Sequence, residues 1–318
     1  MPFFMPPLVA RAYGGSYRCR TMARAPEIGL KEFIEQRKGL RAGGGHGEGV
    51  AYAYASDKAT RKTFDAMKPV ELAVTAAVRM FQTVGRNELL GHAVKVGPKQ
   101  FPRIHNMVVK CAETLGIAPP TLYIVNSPVA NAMTFGTNEE SFILVHSALI
   151  DFMSDDELMS VIGHECGHIH NSHVVYLTAM HYLTRVAAQY VRWIAGPAMV
   201  ALAGWSRRAE VTCDRAGLLC AGSLDASTRA LTKLALGSRK LYDEINIEAF
   251  LDQHEEGGDG VGRFAEMTAT HPWLPKRVLA LRAFAQSELY RKHAHLGDTG
   301  DSMETVDEKV HELIKVWG

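Results

Sequence analysis

Residues 164–168 read His164-Glu165-Cys166-Gly167-His168. Two histidines at i and i+4 stand one above the other on the same face of a helix, so a helix here turns both imidazoles toward one point. That spacing suits a shared Zn²⁺, and Glu165, one residue round, brings a free carboxylate beside a metal-held water. A carboxylate and an activated water are what hydrolysis of an amide requires. The string is only five residues long, so its surroundings decide whether it is more than coincidence.

Those surroundings predict a helix. Ser154 reads as its N-cap, and Asp155, Asp156 and Glu157 fill the first turn, where carboxylates oppose the positive end of the helix dipole. Glu157 also completes a capping box with Ser154. Leu158, Val161 and Ile162 give the buried stripe, and the histidine pair follows in register. Capping, periodicity and motif agree on one element.

Two histidines leave zinc short of its usual tetrahedron, and a hydrolytic site takes one more protein ligand with water in the fourth place. One scheme sets a third histidine six residues after the second with a glycine between. Val174 and Asn171 occupy those places, so that scheme fails. His170 and His173 lie at other helix positions and read as hydrogen-bonded structural residues. Glu210 and Asp214 offer another route, again at i and i+4 on a predicted helix. One carboxylate can bind zinc while the other accepts the free ring N–H of a ligand histidine and fixes its tautomer. Alone, the pair would read as a salt-laced helix with Arg207 and Arg215. Beside the histidines, Glu210 is the better third ligand.

A chain of 318 residues allows one large domain or two modest ones. A net charge of +1 gives no electrostatic case for nucleic acid or an anionic membrane. The five cysteines, Cys19, Cys111, Cys166, Cys213 and Cys220, are odd in number and scattered, which points to a reducing compartment. With no signal peptide evident, a cytoplasmic location is expected. The apolar stretch 174–206 is interrupted by Arg185, Gln189 and Arg192, and Trp193 to Ser206 contains Gly196-Pro197. A span needs about 20 apolar residues, so a packed helical hairpin is expected, with peripheral membrane contact as the lesser alternative. The oligomeric state is not legible.

The expected fold class is α+β, a mostly helical domain with a small mixed or antiparallel sheet. Residues 1–57 read as a flexible arm, with a short helix at Ile28–Gln36 and a glycine-rich linker at 39–49. A folded domain over 58–295 would begin near Ala59. Helices are predicted at 69–86, 100–115, 206–220, 226–249 and 276–292, and strands at 121–125, 130–135 and 141–145. Within 296–318 a last amphipathic helix carries Val306, Val310, Leu313, Ile314 and Trp317 for docking.

Over roughly residues 90–285 the chain resembles the HtpX-like and CAAX prenyl endopeptidase family of zinc metallopeptidases, of the gluzincin type. The strongest parts of the match are the helix led by Ser154-Asp155-Asp156-Glu157-Leu158 and the block from Glu210 to Gly217. The resemblance implies one zinc per chain, held by His164, His168 and Glu210, with Asp214 behind a ligand histidine and Glu165 as general base. It likens Asn131-Ala132-Met133 through Gly136 to the family's edge strand, which lines the cleft and pairs with extended substrate. It likens Thr270-His271-Pro272 and Arg277 to a downstream segment whose histidine steadies the tetrahedral intermediate. Cys213 stands where the family has alanine, and Cys166 where it has an apolar residue, so both read as packing residues. Lacking the family's long hydrophobic spans, the chain looks like a soluble or peripheral member. The implied activity is hydrolysis of peptide bonds in protein or peptide substrates, with a role in protein quality control.

Two rivals belong to other classes. A zinc-stabilised chaperone-like or binding module would present the apolar 174–206 segment to a partner, but a structural zinc site needs no free carboxylate such as Glu165. A latent protease would use His46 or Cys19 of the N-terminal arm to occupy the open metal position.

Overall fold

The computed structural model describes residues 50–66, 91–137, 140–186, 192–256, 266, 269 and 271–316. The expected arm and linker over 1–49, the helix at 69–86 and Trp317 lie outside the described residues. The helices are α1 (Ala55–Ala66), α2 (Pro102–Leu115), α3 (Ser147–Phe152), α4 (Asp155–His170), α5 (Val174–Val186), α6 (Arg192–Ala221), α7 (Leu224–Leu236), α8 (Arg239–Tyr242), α9 (Ile247–Glu256), α10 (Leu274–Ala285), α11 (Glu288–His293) and α12 (Met303–Ile314). The strands are β1 (Ala93–Lys95), β2 (Thr121–Val125), β3 (Ala132–Gly136) and β4 (Ser141–His146). This is the expected α+β arrangement.

The strands form one mixed sheet in the order β1-β2-β4-β3. β2 and β4 run parallel, with Leu122 opposite Ile143, while β1–β2 and β3–β4 are antiparallel. β3 therefore sits at the edge, its outer row of main-chain groups turned away from β4. β1 is a strand the sequence did not announce. Three residues, two of them exposed, are too few to show alternation.

Helix α4 runs through the core. Leu158, Ile162 and Cys166 on it pack with Met107 and Cys111 of α2, Leu122 and Ile143 of the sheet, and Leu218 of α6. Its start is held as predicted: Ser154 Oγ accepts from the Glu157 N–H, and Glu157 Oε2 accepts from the Ser154 N–H at 2.8 Å. Glu157 is also tied to Arg229 Nε at 3.0 Å and Lys233 Nζ at 2.7 Å, which joins the cap to α7.

The crossing of α4 and α6 depends on glycine. A Cβ on Gly163 would lie 2.6 Å from Cys220 Cβ, and one on Gly217 would lie 2.6 Å from the Ser160 carbonyl oxygen. Both distances are inside van der Waals contact, so the two helices approach as closely as they do only because these positions carry no side chain. That approach sets His164 and His168 opposite Glu210 and Asp214.

Three boundaries differ from expectation. The region predicted as a helix over 206–220 is the end of a longer helix that continues back through Gly196-Pro197 to Arg192. The 226–249 pattern divides into α7, α8 and α9, because Gly237 adopts φ 59° and closes α7. The 276–292 pattern breaks at Gln286-Ser287, where Ser287 Oγ accepts from the Tyr290 N–H and starts α11. Apolar spacing runs on across such short breaks, so periodicity alone merges the helices.

Packed structure also begins earlier than Ala59. Tyr52, Ala53, Tyr54 and Asp57 are already buried, so residues 50–57 belong to the folded body. The glycine-rich composition just upstream masked these two tyrosines. At the other end, Val306, Val310 and Ile314 of α12 are buried in the same core as α10, with Leu313 at its margin. No helix among the described residues is long and apolar enough to cross a membrane.

Candidate metal centre

α4 presents His164 and His168 on one face, as the i, i+4 spacing requires. Their Nε2 atoms face each other at 3.2 Å. Across the gap, α6 presents Glu210, with Oε2 3.5 Å from His164 Nε2 and Oε1 3.5 Å from His168 Nε2. Glu210 and His168 are buried, and His164 is partly open to the cleft. Three potential ligand atoms thus converge on a single point.

The rest of the cluster sets their protons and charges. Asp214, one turn beyond Glu210, lies 3.0 Å from His164 Nδ1. A carboxylate there draws the ring proton to Nδ1 and leaves the Nε2 lone pair facing the gap. Burial opposes charge on His164, but Glu210 and Asp214 outweigh it and raise its pKa above the ordinary value. His168 goes the other way: burial dominates, and His164 adds to it, so its pKa is lowered. A lowered pKa keeps this imidazole neutral, the form that binds metal. Burial would raise Glu210, yet His271, Arg277 and His164 hold its carboxyl well below the usual range. Glu210 is therefore ionised.

Arg277 was expected at the substrate. It lines the cleft, but its guanidinium is already committed: Nε and Nη2 grip Asp214 at 2.8 and 2.6 Å, and Nη1 lies 3.1 Å from Glu210 Oε2. It is buried, and its fork neutralises two carboxylates that would otherwise repel. The sequence could not show this, because the partners are 63 residues and more away. His271, by contrast, is exposed at the mouth of the cleft, with Nδ1 3.1 Å from Glu210 Oε2. Asn131 and Ala132 line the same cleft at the start of the edge strand. Asn131 Oδ1 accepts from the Ala132 N–H at 3.0 Å, and the Asn131 carbonyl accepts from the His146 N–H at 2.9 Å.

One neighbour of Glu165 was not anticipated. Thr134, in the middle of β3, donates to Glu165 Oε2 at 2.5 Å. A buried threonine on an amphipathic strand gives no signal of that kind in sequence. The cysteines pack as expected. Cys166 is fully buried in the core, and Cys213 is fully buried beside His173. Burial, with Glu210 and Asp57 adding to it, pushes the Cys213 thiol well above its ordinary range, so it stays neutral.

Val161, Ala230, Leu231, Leu234 and Leu281 give the cleft an apolar lining, and Ser160, which also lines it, donates to Ser227 at 2.9 Å. The cleft thus has an ionised, metal-ready end, a carboxylate held by the edge strand, and a lining suited to an apolar side chain.

The chain is similar in sequence to known proteins. The chain is 39% identical over 170 residues to the plastoglobule-localized metallopeptidase 48, chloroplastic, of Arabidopsis thaliana, covering 52% of this chain and 49% of that protein. It thus spans about half the length of the plant relative. It is 25% identical over 229 residues to a protease HtpX homolog of Moorella thermoacetica, covering 61% of this chain and 76% of the relative. A protease HtpX homolog of Halobacterium salinarum is 27% identical over 226 residues, covering 58% and 78%. The family model described as peptidase family M48 matches residues 98–285, which include α4, α6, β3, His271 and Arg277. On that match the chain belongs to peptidase family M48.

Proposed function

We propose that this chain is a zinc-dependent endopeptidase in which His164, His168 and Glu210 hold the metal and Glu165 is the general base. Donor spacing supports the metal. Ligand atoms about 2.05 Å from a tetrahedral zinc lie about 3.3 Å apart. The two Nε2 atoms are 3.2 Å apart, and each is 3.5 Å from a Glu210 oxygen. Three protein donors of two imidazoles and a carboxylate leave one position open, the pattern of hydrolytic rather than structural zinc.

When bound, zinc supplies Lewis acidity: it lowers the pKa of a coordinated water to about 7 and polarises the scissile carbonyl. The chain supplies the rest. Glu165 takes the water's proton and returns it to the leaving amine, with Thr134 holding its carboxylate in place. Asp214 fixes the His164 tautomer, and Arg277 offsets the negative charge of Asp214 and Glu210. His271, at the open side, is placed to donate to the oxyanion, a contribution commonly about 3 kcal/mol per donor. The substrate lies extended along β3 by way of Asn131 and Ala132, with an apolar side chain against Leu231 and Leu234.

The buried free thiols of Cys111, Cys166, Cys213 and Cys220 support residence in a reducing compartment, such as the cytoplasm. The single observation that carries the reading is convergence of three ligand atoms beside a carboxylate that is not one of them. A peptide-library cleavage assay with and without chelator, run beside Glu165→Gln, tests it. Cleavage should vanish with chelator and with the variant, while the variant keeps its zinc. Undiminished cleavage by Glu165→Gln would refute the assignment.

A further inference from the structure

Behind His168, on the side away from the cleft, a second line of buried polar groups leads out of the metal centre. His168 Nδ1 lies 3.3 Å from His173 Nδ1. His173 is fully buried, and its Nε2 lies 3.1 Å from Asp57 Oδ2. Asp57 in turn accepts from Trp205 Nε1 at 3.0 Å and from Thr212 Oγ1 at 2.7 Å. We propose that His173 and Asp57 are positioning residues for the metal, acting through His168, and that the Tyr52–Asp57 segment is thereby part of the metal centre. The inference rests on the zinc-peptidase reading above.

The protons can be arranged in one way only. If His168 offers Nε2 to the metal, its ring proton is on Nδ1. That N–H faces His173 Nδ1, which must then be the acceptor. With Nδ1 as acceptor, the His173 ring proton is on Nε2, facing Asp57. This N–H lies off the direct line to Oδ2, so the contact is more a charge–dipole attraction than a straight hydrogen bond. The carboxylate cannot turn freely to improve it, because Trp205 and Thr212 hold it from other sides. Cys213 Sγ, 3.7 Å from His173 Nδ1, is the only other group in reach of that nitrogen among the described residues, and its neutral thiol is a weak donor.

The two ligand histidines are thus oriented in different ways. His164 meets its carboxylate, Asp214, directly, and that carboxylate sits on the same helix as Glu210. His168 meets its carboxylate through His173, and that carboxylate comes from α1, upstream of residues 98–285. The segment leading to Asp57 is clamped at several points. Arg215 Nη1 donates to the Tyr52 carbonyl at 3.2 Å, Asn171 Nδ2 donates to Tyr52 Oη at 3.1 Å, and the Tyr54 N–H donates to Thr212 Oγ1 at 3.1 Å. Lifting this segment would withdraw Asp57 and leave His173 without its carboxylate.

The test compares full-length wild type, His173→Leu, His173→Gln and Asp57→Asn by chelator competition for zinc, by the absorption spectrum of the cobalt-loaded protein, and by thermal unfolding without metal. Removing a partner behind a ligand histidine commonly costs about 10–100-fold in metal affinity, so His173→Leu should lose about that much and change the cobalt spectrum. His173→Gln, whose carbonyl can accept from His168 Nδ1–H, should return to within about threefold of wild type, and Asp57→Asn should fall between. A purely structural role would lower metal-free stability without separating Leu from Gln in metal affinity, and that result would overturn the proposal. So would Asp57→Asn binding zinc as wild type does, a comparison that holds even if His173→Leu fails to fold. Wild type that takes up no zinc would sink the peptidase reading as well, whereas variants that match a zinc-binding wild type would sink this inference alone.

Discussion

Thr134 donates a 2.5 Å hydrogen bond to Glu165 Oε2, joining the middle of the edge strand to the carboxylate proposed as general base. The same strand begins at Ala132 in the cleft. Strand position and base orientation are therefore mechanically linked. Thr134→Val keeps the shape and removes the donor. It should lower kcat about tenfold with KM within about twofold, the lower end of what a hydrogen bond to a charged group is worth. Thr134→Ser should restore most of the rate. A Val variant with wild-type kcat would show that Glu165 needs no such support.

Arg277 bridges Asp214 and Glu210, and both are buried. Arg277→Gln leaves two buried carboxylates without their cation, a loss of about 3–5 kcal/mol in the metal-free protein. Denaturant unfolding measures it directly. Arg277→Lys restores charge but not the two-pronged geometry, so it should recover only part of the loss. If Gln instead raised KM and left stability untouched, Arg277 would belong to the substrate after all.

The helix crossing that brings His164 and His168 to Glu210 is tested at Gly217. An added Cβ meets the Ser160 backbone oxygen at 2.6 Å, and backbone cannot swing aside as a side chain can. Gly217→Ala should cost about 1–3 kcal/mol in stability. Zinc affinity should fall with it, because α4 and α6 must separate. Unchanged affinity in a destabilised variant would show that the ligands tolerate a wider crossing.

Glu157 gives a pH signature remote from the metal. Burial opposes its ionisation, but Lys233, the Ser154 N–H and Arg229 outweigh that and hold its carboxyl below the ordinary range. Its ionised form therefore contributes stability that is complete above the unfolded-state value and is lost as pH falls through the lower, folded-state value. Glu157→Gln should be about 1.5–3 kcal/mol less stable near neutral pH, the worth of hydrogen bonds to a charged group. The gap should close as pH falls below about 4. A gap that stays constant with pH would mean that packing, not charge, explains the residue.

Much of this site was legible because its determinants are local. The spacing of His164 and His168 and the Ser154–Glu157 cap are relationships within one turn of helix, and the structure shows both. Glu210 and Asp214 could be read as a pair for the same reason. What escaped was long-range. Arg277 finds its carboxylates 63 residues away, Thr134 finds Glu165 across 31, and Asp57 reaches α6 across about 150. None leaves a periodic trace. The early start of the packed chain was hidden likewise, because Tyr52 and Tyr54 follow a glycine-rich run whose composition says linker. The fold class was plain from helical periodicity, whereas β1, three residues long, carried too little pattern to be seen.

The central claim is that one metal, held by His164, His168 and Glu210, is what makes this chain hydrolyse peptide bonds. Titrating metal-free protein with zinc, while following bound metal and peptide cleavage in the same samples, tests it most directly. Both should rise together and level off at about one equivalent per chain, with Glu210→Ala failing to reach either plateau. Cleavage in the metal-free chain, or tight zinc uptake with no cleavage of any peptide, would contradict it.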